Sequence, residues 1–237
     1  MSSGLGDNAV MDTYVVDPRK VRDISSQLLD AQGRLKVVPS GVYAQTTPDE
    51  RALFGVRHAF YGFLTVELVA YLKGVIAGRS AIEIGAGHGG LATALGITAT
   101  DNCQQDNPDI RAYYEAMGQP TIRYGANVGK LDALKAITQY RPSVVVASWV
   151  THRYDPRRHA AGGNQDGVTE EDIVKNCETY VLIGNERVHA NKSLWALPHE
   201  KITPPWLYSR ARNGSADFIA IWQGGRGHLP VSSNFGC

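Results

Sequence analysis

The chain is short of the features that classify a protein quickly. It has three cysteines in 237 residues, Cys103, Cys177 and Cys237, and no CxxC spacing. That argues against a zinc cluster or a disulfide framework and fits a reducing, cytoplasmic setting. Its net charge is only +1 at pH 7, so nothing pulls the whole molecule toward nucleic acid or an anionic membrane. Its first residues have no basic head and no apolar run, so no secretory signal is expected. A long hydrophobic run is missing too. The most apolar window, 61–78, contains Glu67 and Lys73 and reads as a core-facing helix, not a membrane span. No internal repeat is visible. What remains is ordinary globular composition, 43% hydrophobic and 20% charged, in a chain long enough for one full core.

Against that background one stretch stands out: Ala81-Ile82-Glu83-Ile84-Gly85-Ala86-Gly87-His88-Gly89-Gly90, followed by Asp101 after a second apolar run. A short strand delivers an acid and then a glycine-rich turn. A helix and a second strand follow, and that strand ends in another acid. Glycines let the backbone turn sharply and approach a ligand, and the second acid suits ribose hydroxyls.

The rest of the chain supplies the frame. Asp17-Pro18 predicts a helix to about Asp30, with Val21, Ile24, Leu28 and Leu29 on one face. The spacing of Leu53, Val56, Phe60, Phe63, Leu64, Leu68, Tyr71, Leu72 and Val75 predicts one long helix from Asp49 to Gly78. Strands are expected at 80–84, 97–100, 121–124, 143–150 and 180–184, with helices between them. The unbroken apolar run from Ser143 to Val150 suits a central parallel strand. Pro204–Tyr208 and Asp217–Trp222, joined across Asn213-Gly214, predict a closing hairpin. Residues 1–48 are expected to hold a leader and a helical cap, 49–223 the main domain and 224–237 a tail.

Together, the Glu83–Gly89 motif, Asp101 and the strand order ending in a hairpin resemble the class I S-adenosylmethionine-dependent methyltransferases, from about Asp49 to Trp222. The resemblance implies an α/β fold: a three-layer, Rossmann-like, seven-stranded mixed sheet, its last strand antiparallel beside the fifth, with an N-terminal helical cap. It implies S-adenosyl-L-methionine as cofactor. Glu83 would help hold the methionine end. Gly85, Ala86, Gly87 and Gly89 would lie against it. Asp101 would accept from both ribose hydroxyls, with Asn102 beside the adenine. Asn127 and Val128 would follow strand three, where the family often carries an acid for the adenine amino group. Ser148 and Trp149 would end strand four, nearest the reacting methyl.

Two other readings use the same residues. Gly85, Gly87 and Gly90 also satisfy GxGxxG, which with Asp101 suits an NAD(P)-dependent oxidoreductase. Glu83, two residues ahead of the first glycine, disfavours a pyrophosphate there. A non-catalytic nucleoside-cofactor-binding module would keep the fold without turnover.

Acceptor groups should come from the C-terminal ends of the strands. The polar loop 151–168 offers His152 and Tyr154 as candidate catalytic groups and Arg153 for an anionic substrate. Tyr61 from the cap, with Glu186 and His189 after strand five, are further substrate candidates. His152, Asp155 and His159 lack the spacing of a metal site, so no metal is expected. Basic clusters at 152–159 and 208–212 give weak grounds for a nucleic-acid partner. No Asn/Asp-Pro-Pro-Tyr/Phe or Pro-Cys motif follows strand four, so a small-molecule N or O acceptor is preferred.

Overall fold

The computed structural model of the protein describes residues 17–225. The expected leader and the part of the expected tail from 226 onward lie outside these residues. Ahead of the sheet come four helices: α1 (Ser25–Leu28), α2 (Ser40–Ala44), α3 (Pro48–Arg57) and α4 (Val66–Ile76). Two expectations are corrected here. The helix predicted over 17–30 is the single turn of α1. Asp30 ends it, because its carboxylate accepts the N–H groups of Gln32 and Arg34, and Leu29 then bridges Leu35.

The long helix predicted from Asp49 to Gly78 is two helices. Thr47 caps α3 in a capping box with Glu50, and Thr65 caps α4 by accepting the Leu68 N–H. Between them Ala59 adopts φ +56° and the chain runs as a connector. A second N-cap inside a periodic apolar run is a start signal that periodicity hides. Phe60 and Phe63 are buried from this connector, and with Ile24, Leu28, Tyr43 and Phe54 they form a small core of their own.

The sheet is built from β1 (Ala81–Ile84), β2 (Thr98–Asp101), β3 (Val128–Lys130), β4 (Val144–Ser148), β5 (Thr179–Asn185), β6 (Glu200–Ile202) and β7 (Asp217–Gln223). Its order is β3-β2-β1-β4-β5-β7-β6. The first five strands are parallel, and β7 runs antiparallel between β5 and β6. The connecting helices are α5 (Gly90–Leu95), α6 (Pro108–Ala116), α7 (Ala133–Tyr140) and α8 (Glu170–Lys175). One core packs α7 and α8 on one face of the sheet, and a second packs α4 and α5 on the other. The chain therefore has the three-layer, seven-stranded mixed sheet that the resemblance implies. Val144, Val145, Val146 and Ala147 are fully buried, as a strand covered on both faces must be.

Two strand assignments shift. Residues 121–124 form no strand, because their backbone bonds to a side chain and not to a ladder: the Ile122 N–H donates to Gln105 Oε1 at 2.8 Å. The third strand begins at Val128. At the far end, Pro204 and Pro205 have no N–H to give a ladder, and Glu200–Ile202 pairs with β7 instead. The 204–210 segment returns to the connector, where the Phe63 N–H donates to Tyr208 O and the Arg210 N–H to Tyr61 O.

Candidate functional site

The turn from β1 into α5 holds Gly85, Gly87 and Gly89 at φ +60°, +52° and +70°. Side chains other than glycine rarely take these angles. Space is short as well: a Cβ on Gly85 would stand 2.6 Å from Val150 Cγ1. Gly85→Ala is therefore expected to cost about 2–4 kcal/mol from strain and overpacking. A urea midpoint equal to that of the parent protein would contradict this tight contact.

Asp101, at the end of β2, closes against that turn. Its Oδ2 accepts the Gly87 N–H at 2.9 Å and its Oδ1 the Cys103 N–H at 2.8 Å. Burial raises its pKa, and these two N–H groups oppose the rise. A carboxylate offers about four lone-pair sites, so two N–H donors leave capacity for two hydroxyls. Three residues on, Gln104 Oε1 is buried with no hydrogen-bond partner, an acceptor in want of a donor. Asn102 Nδ2 donates to Asp166 O at 3.0 Å, which brings the 151–168 loop across to the end of β2.

Other candidates from the same motif face inward. Glu83 is 2% exposed, and its Oε2 accepts the Ala92 N–H of α5 at 2.8 Å. Burial, with a smaller push from Asp101, raises its pKa to about 8. Asn127 precedes β3 instead of following it. Its Nδ2 donates to Gly89 O and Thr93 Oγ1, which ties down the start of α5. Val128 lies within β3, with Cγ2 packed at Gly89. The acid that does follow β3 is Asp132, which caps α7 through the Leu134 N–H.

A second group gathers at the end of β4. Trp149 takes φ +60° and donates its N–H to Ile183 O. Its indole lies 6.2 Å from the Tyr61 ring and 5.3 Å from that of His189. The Arg210 guanidinium stacks on Tyr61 at 3.7 Å. Burial pushes the Tyr114 hydroxyl of α6 up to about 12, with nearby Tyr61 adding to the rise. Beside Trp149 is a cavity of about 20 Å³ lined by Ser148, Gly62, Leu91, Tyr208 and Asp217, room for one water.

The 151–168 loop is tied to itself by bridges between His152 and Val168 and between Arg153 and Asn164. His152 Nε2 is buried without a hydrogen-bond partner. Burial foremost, then Lys192 and Arg158, lower its pKa, so the ring is neutral at pH 7 and able to accept a proton. Tyr154 pairs its hydroxyl with His159 Nδ1 at 2.8 Å on the exposed part of the loop, and Arg153 is exposed beside it. Glu186 stands apart, in an ion pair with Lys201 at the lip of a cleft of about 300 Å³. His189 is 4% exposed, with Nδ1 3.0 Å from the Asn185 N. Burial first, then Lys192, depress its pKa to about 4. It forms a wall behind Trp149.

The structure thus gathers Gly85, Ala86, Gly87, Gly89, Asp101 and Asn102 at one centre, and Tyr61, Ser148, Trp149 and His189 at a second. Gln104, Tyr114, Arg210 and Asp217 join these centres without a sequence motif. Among the described residues, no helix is long and apolar enough to cross a membrane.

Sheet order and glycine turn together define a Rossmann-like three-layer α/β protein. No protein-family model matches the chain, and no curated protein matches it. Among solved structures it is similar to the Thermoplasma acidophilum 1320 protein, with 18% identity over 66% of this chain and 85% of that one, at a TM-score of 0.34. It is also similar to a precorrin 8w decarboxylase from Methanobacterium thermoautotrophicum, with 12% identity over 71% and 96% of the two chains and a TM-score of 0.36. A third is a Pyrococcus abyssi tRNA (uracil-54, C5)-methyltransferase in complex with S-adenosyl-L-homocysteine, with 14% identity over 66% of this chain, 37% of that one, and a TM-score of 0.34.

Proposed function

We propose that the protein binds S-adenosylmethionine and transfers its methyl group to a small-molecule N or O acceptor. The observation that carries this reading is the Asp101 carboxylate, locked by the Gly87 and Cys103 N–H groups at the mouth of the β1–α5 turn with acceptor capacity to spare. The donor set fits an adenosine. Asp101 would take the ribose hydroxyls, the orphan Gln104 Oε1 a nearby donor such as the adenine amino group, and the backbone at 85–87 the methionine portion. Glu83 would act from beneath, by holding the first turn of α5. The cofactor supplies an electrophilic methyl on a sulfonium, so the protein needs chiefly to align the acceptor, exclude water and remove a proton.

Those tasks fall to the second centre. Tyr61 and Trp149 offer flat walls for the acceptor, and His152 offers a neutral imidazole as proton acceptor. Tyr154 and Arg153 would meet the acceptor's outer, polar end. Against a dinucleotide oxidoreductase stands the sheet itself: the dinucleotide fold has the order 3-2-1-4-5-6, whereas here an antiparallel β7 is inserted beside β5.

Calorimetric titration with S-adenosylmethionine, S-adenosylhomocysteine and NAD tests the reading. Micromolar binding of the first two without NAD is the expected result, and an acceptor screen including RNA then follows. An NAD isotherm with no response to the other two would overturn it. Binding of the first two with no turnover in the screen would leave a non-catalytic module.

A further inference from the structure

One buried ion pair of the core belongs to none of these roles. Lys192 and Glu170 form an ion pair with side chains 1% and 2% exposed, Nζ to Oε2 at 2.5 Å. The Tyr180 hydroxyl donates to the other carboxylate oxygen at 2.8 Å. Around them lie Ile173, Val174, Tyr180 and Leu194 of the α8-side core. Replacing such a pair with apolar side chains is often neutral or stabilising, so stability alone does not account for its presence.

The remaining contact of the ammonium supplies a reason. Lys192 Nζ donates to Val150 O at 2.9 Å. Trp149 and Val150 are where the chain leaves β4. Trp149 is in the left-handed region, unusual for a bulky residue. Val150 Cγ1 rests where a Cβ on Gly85 would be. The turn that aims both side chains therefore ends in a carbonyl held by a buried ammonium, itself fixed by a carboxylate at the start of α8. Next to it, Ser193 Oγ bonds Glu171, tying the same two segments together.

We propose that Lys192 and Glu170 are positioning residues: a buried clamp that holds the end of β4 so that Trp149 forms its wall of the acceptor site and Val150 packs on the glycine turn. The part of the test that reads cofactor affinity rests on the methyltransferase reading, and the other part does not. The apolar double variant Lys192→Met/Glu170→Leu removes the clamp without stranding a charge. Hydrogen exchange of the amides of 149–153 should speed up about tenfold or more in the folded variant, while β1 and β5 keep their protection. The dissociation constant for S-adenosylhomocysteine should rise about fivefold or more, from the loss of pre-organisation. Unchanged exchange at Trp149 in a folded variant overturns the clamp. If the parent protein does not bind S-adenosylhomocysteine, the functional reading fails and exchange alone decides the clamp. Should the double variant not fold, Tyr180→Phe removes only a hydroxyl from Glu170. Exchange at 149–153 is then expected to rise about threefold, and no change there overturns the proposal equally.

Discussion

Asp101→Ala is expected to weaken S-adenosylmethionine binding by about 100- to 10,000-fold. Two ribose hydroxyls donating to one carboxylate make two charge-assisted hydrogen bonds, each worth about 1.5–3 kcal/mol. At about 1.4 kcal/mol per tenfold in affinity, their sum spans that range. The substitution also strips the Gly87 and Cys103 N–H groups of their acceptor, which costs about 1–3 kcal/mol for each buried donor left unmade. Lost affinity could thus reflect a loosened turn. A ligand-side comparison separates the two effects. The parent protein should prefer S-adenosylhomocysteine over its 2′-deoxy analogue, and the variant, measured at high ligand concentration, should not. Equal discrimination by both proteins would show that Asp101 does not meet the ribose, whatever happens to the affinity.

How far the sequence reached follows from what each signal measures. The β1 strand, the glycine turn and Asp101 were legible because a strand, left-handed glycines and an acid must occur in a fixed local order. The buried run 144–147 was legible because a central parallel strand is apolar on both faces. The break in the long cap helix was not. Periodicity reports burial, and Phe60 and Phe63 are buried from a connector just as a helix would bury them. The third strand was displaced because residues 121–124 carry strand-like side chains while their backbone is committed to Gln105. That displacement carried Asn127 to the wrong end of the strand and left Asp132 unnoticed. Roles set by distant partners were not legible: the orphan Gln104, the stacking of Arg210 on Tyr61, and the Lys192–Glu170 pair each depend on residues far apart in the chain. The packing of His189, a substrate candidate from its place after β5, between Trp149 and Phe218 likewise depends on residues far from it in the chain.

Stability should peak near pH ~6.5, a bell set largely by three buried groups. His88, packed on Phe60 at 4.4 Å, is held down to about 4 by burial, with Arg123 and His58 adding to the effect. His189 is also held down to about 4, from an ordinary 6.5. Between those values the unfolded chain binds two protons that the folded chain does not, so stability falls as pH drops from 6.5 toward 4. Each histidine accounts for about 3 kcal/mol across that range. Glu83 acts in the opposite sense. Its pKa rises from an ordinary 4.5 to about 8, so the folded chain keeps a proton that the unfolded chain has lost. Its contribution is complete below 4.5 and disappears as pH rises to 8, a loss of order 4–5 kcal/mol. Burial also raises Asp101, Glu170 and Asp217, in the same sense as Glu83. Above 6.5 the histidines no longer compensate, and stability declines. Glu83→Gln keeps an acceptor for the Ala92 N–H but cannot ionise. Its urea-derived stability should fall less steeply between pH 6.5 and 8 and exceed that of the parent protein at pH 8. For a domain of this size, at about 2–4 °C per kcal/mol, the melting temperatures at pH 8 should differ by about ten degrees. Parallel alkaline limbs for the two proteins would mean that Glu83 is ionised in the folded state. The carboxylate would then be free to act as the anionic partner of a bound ammonium, and its hold on α5 would be that of a charge.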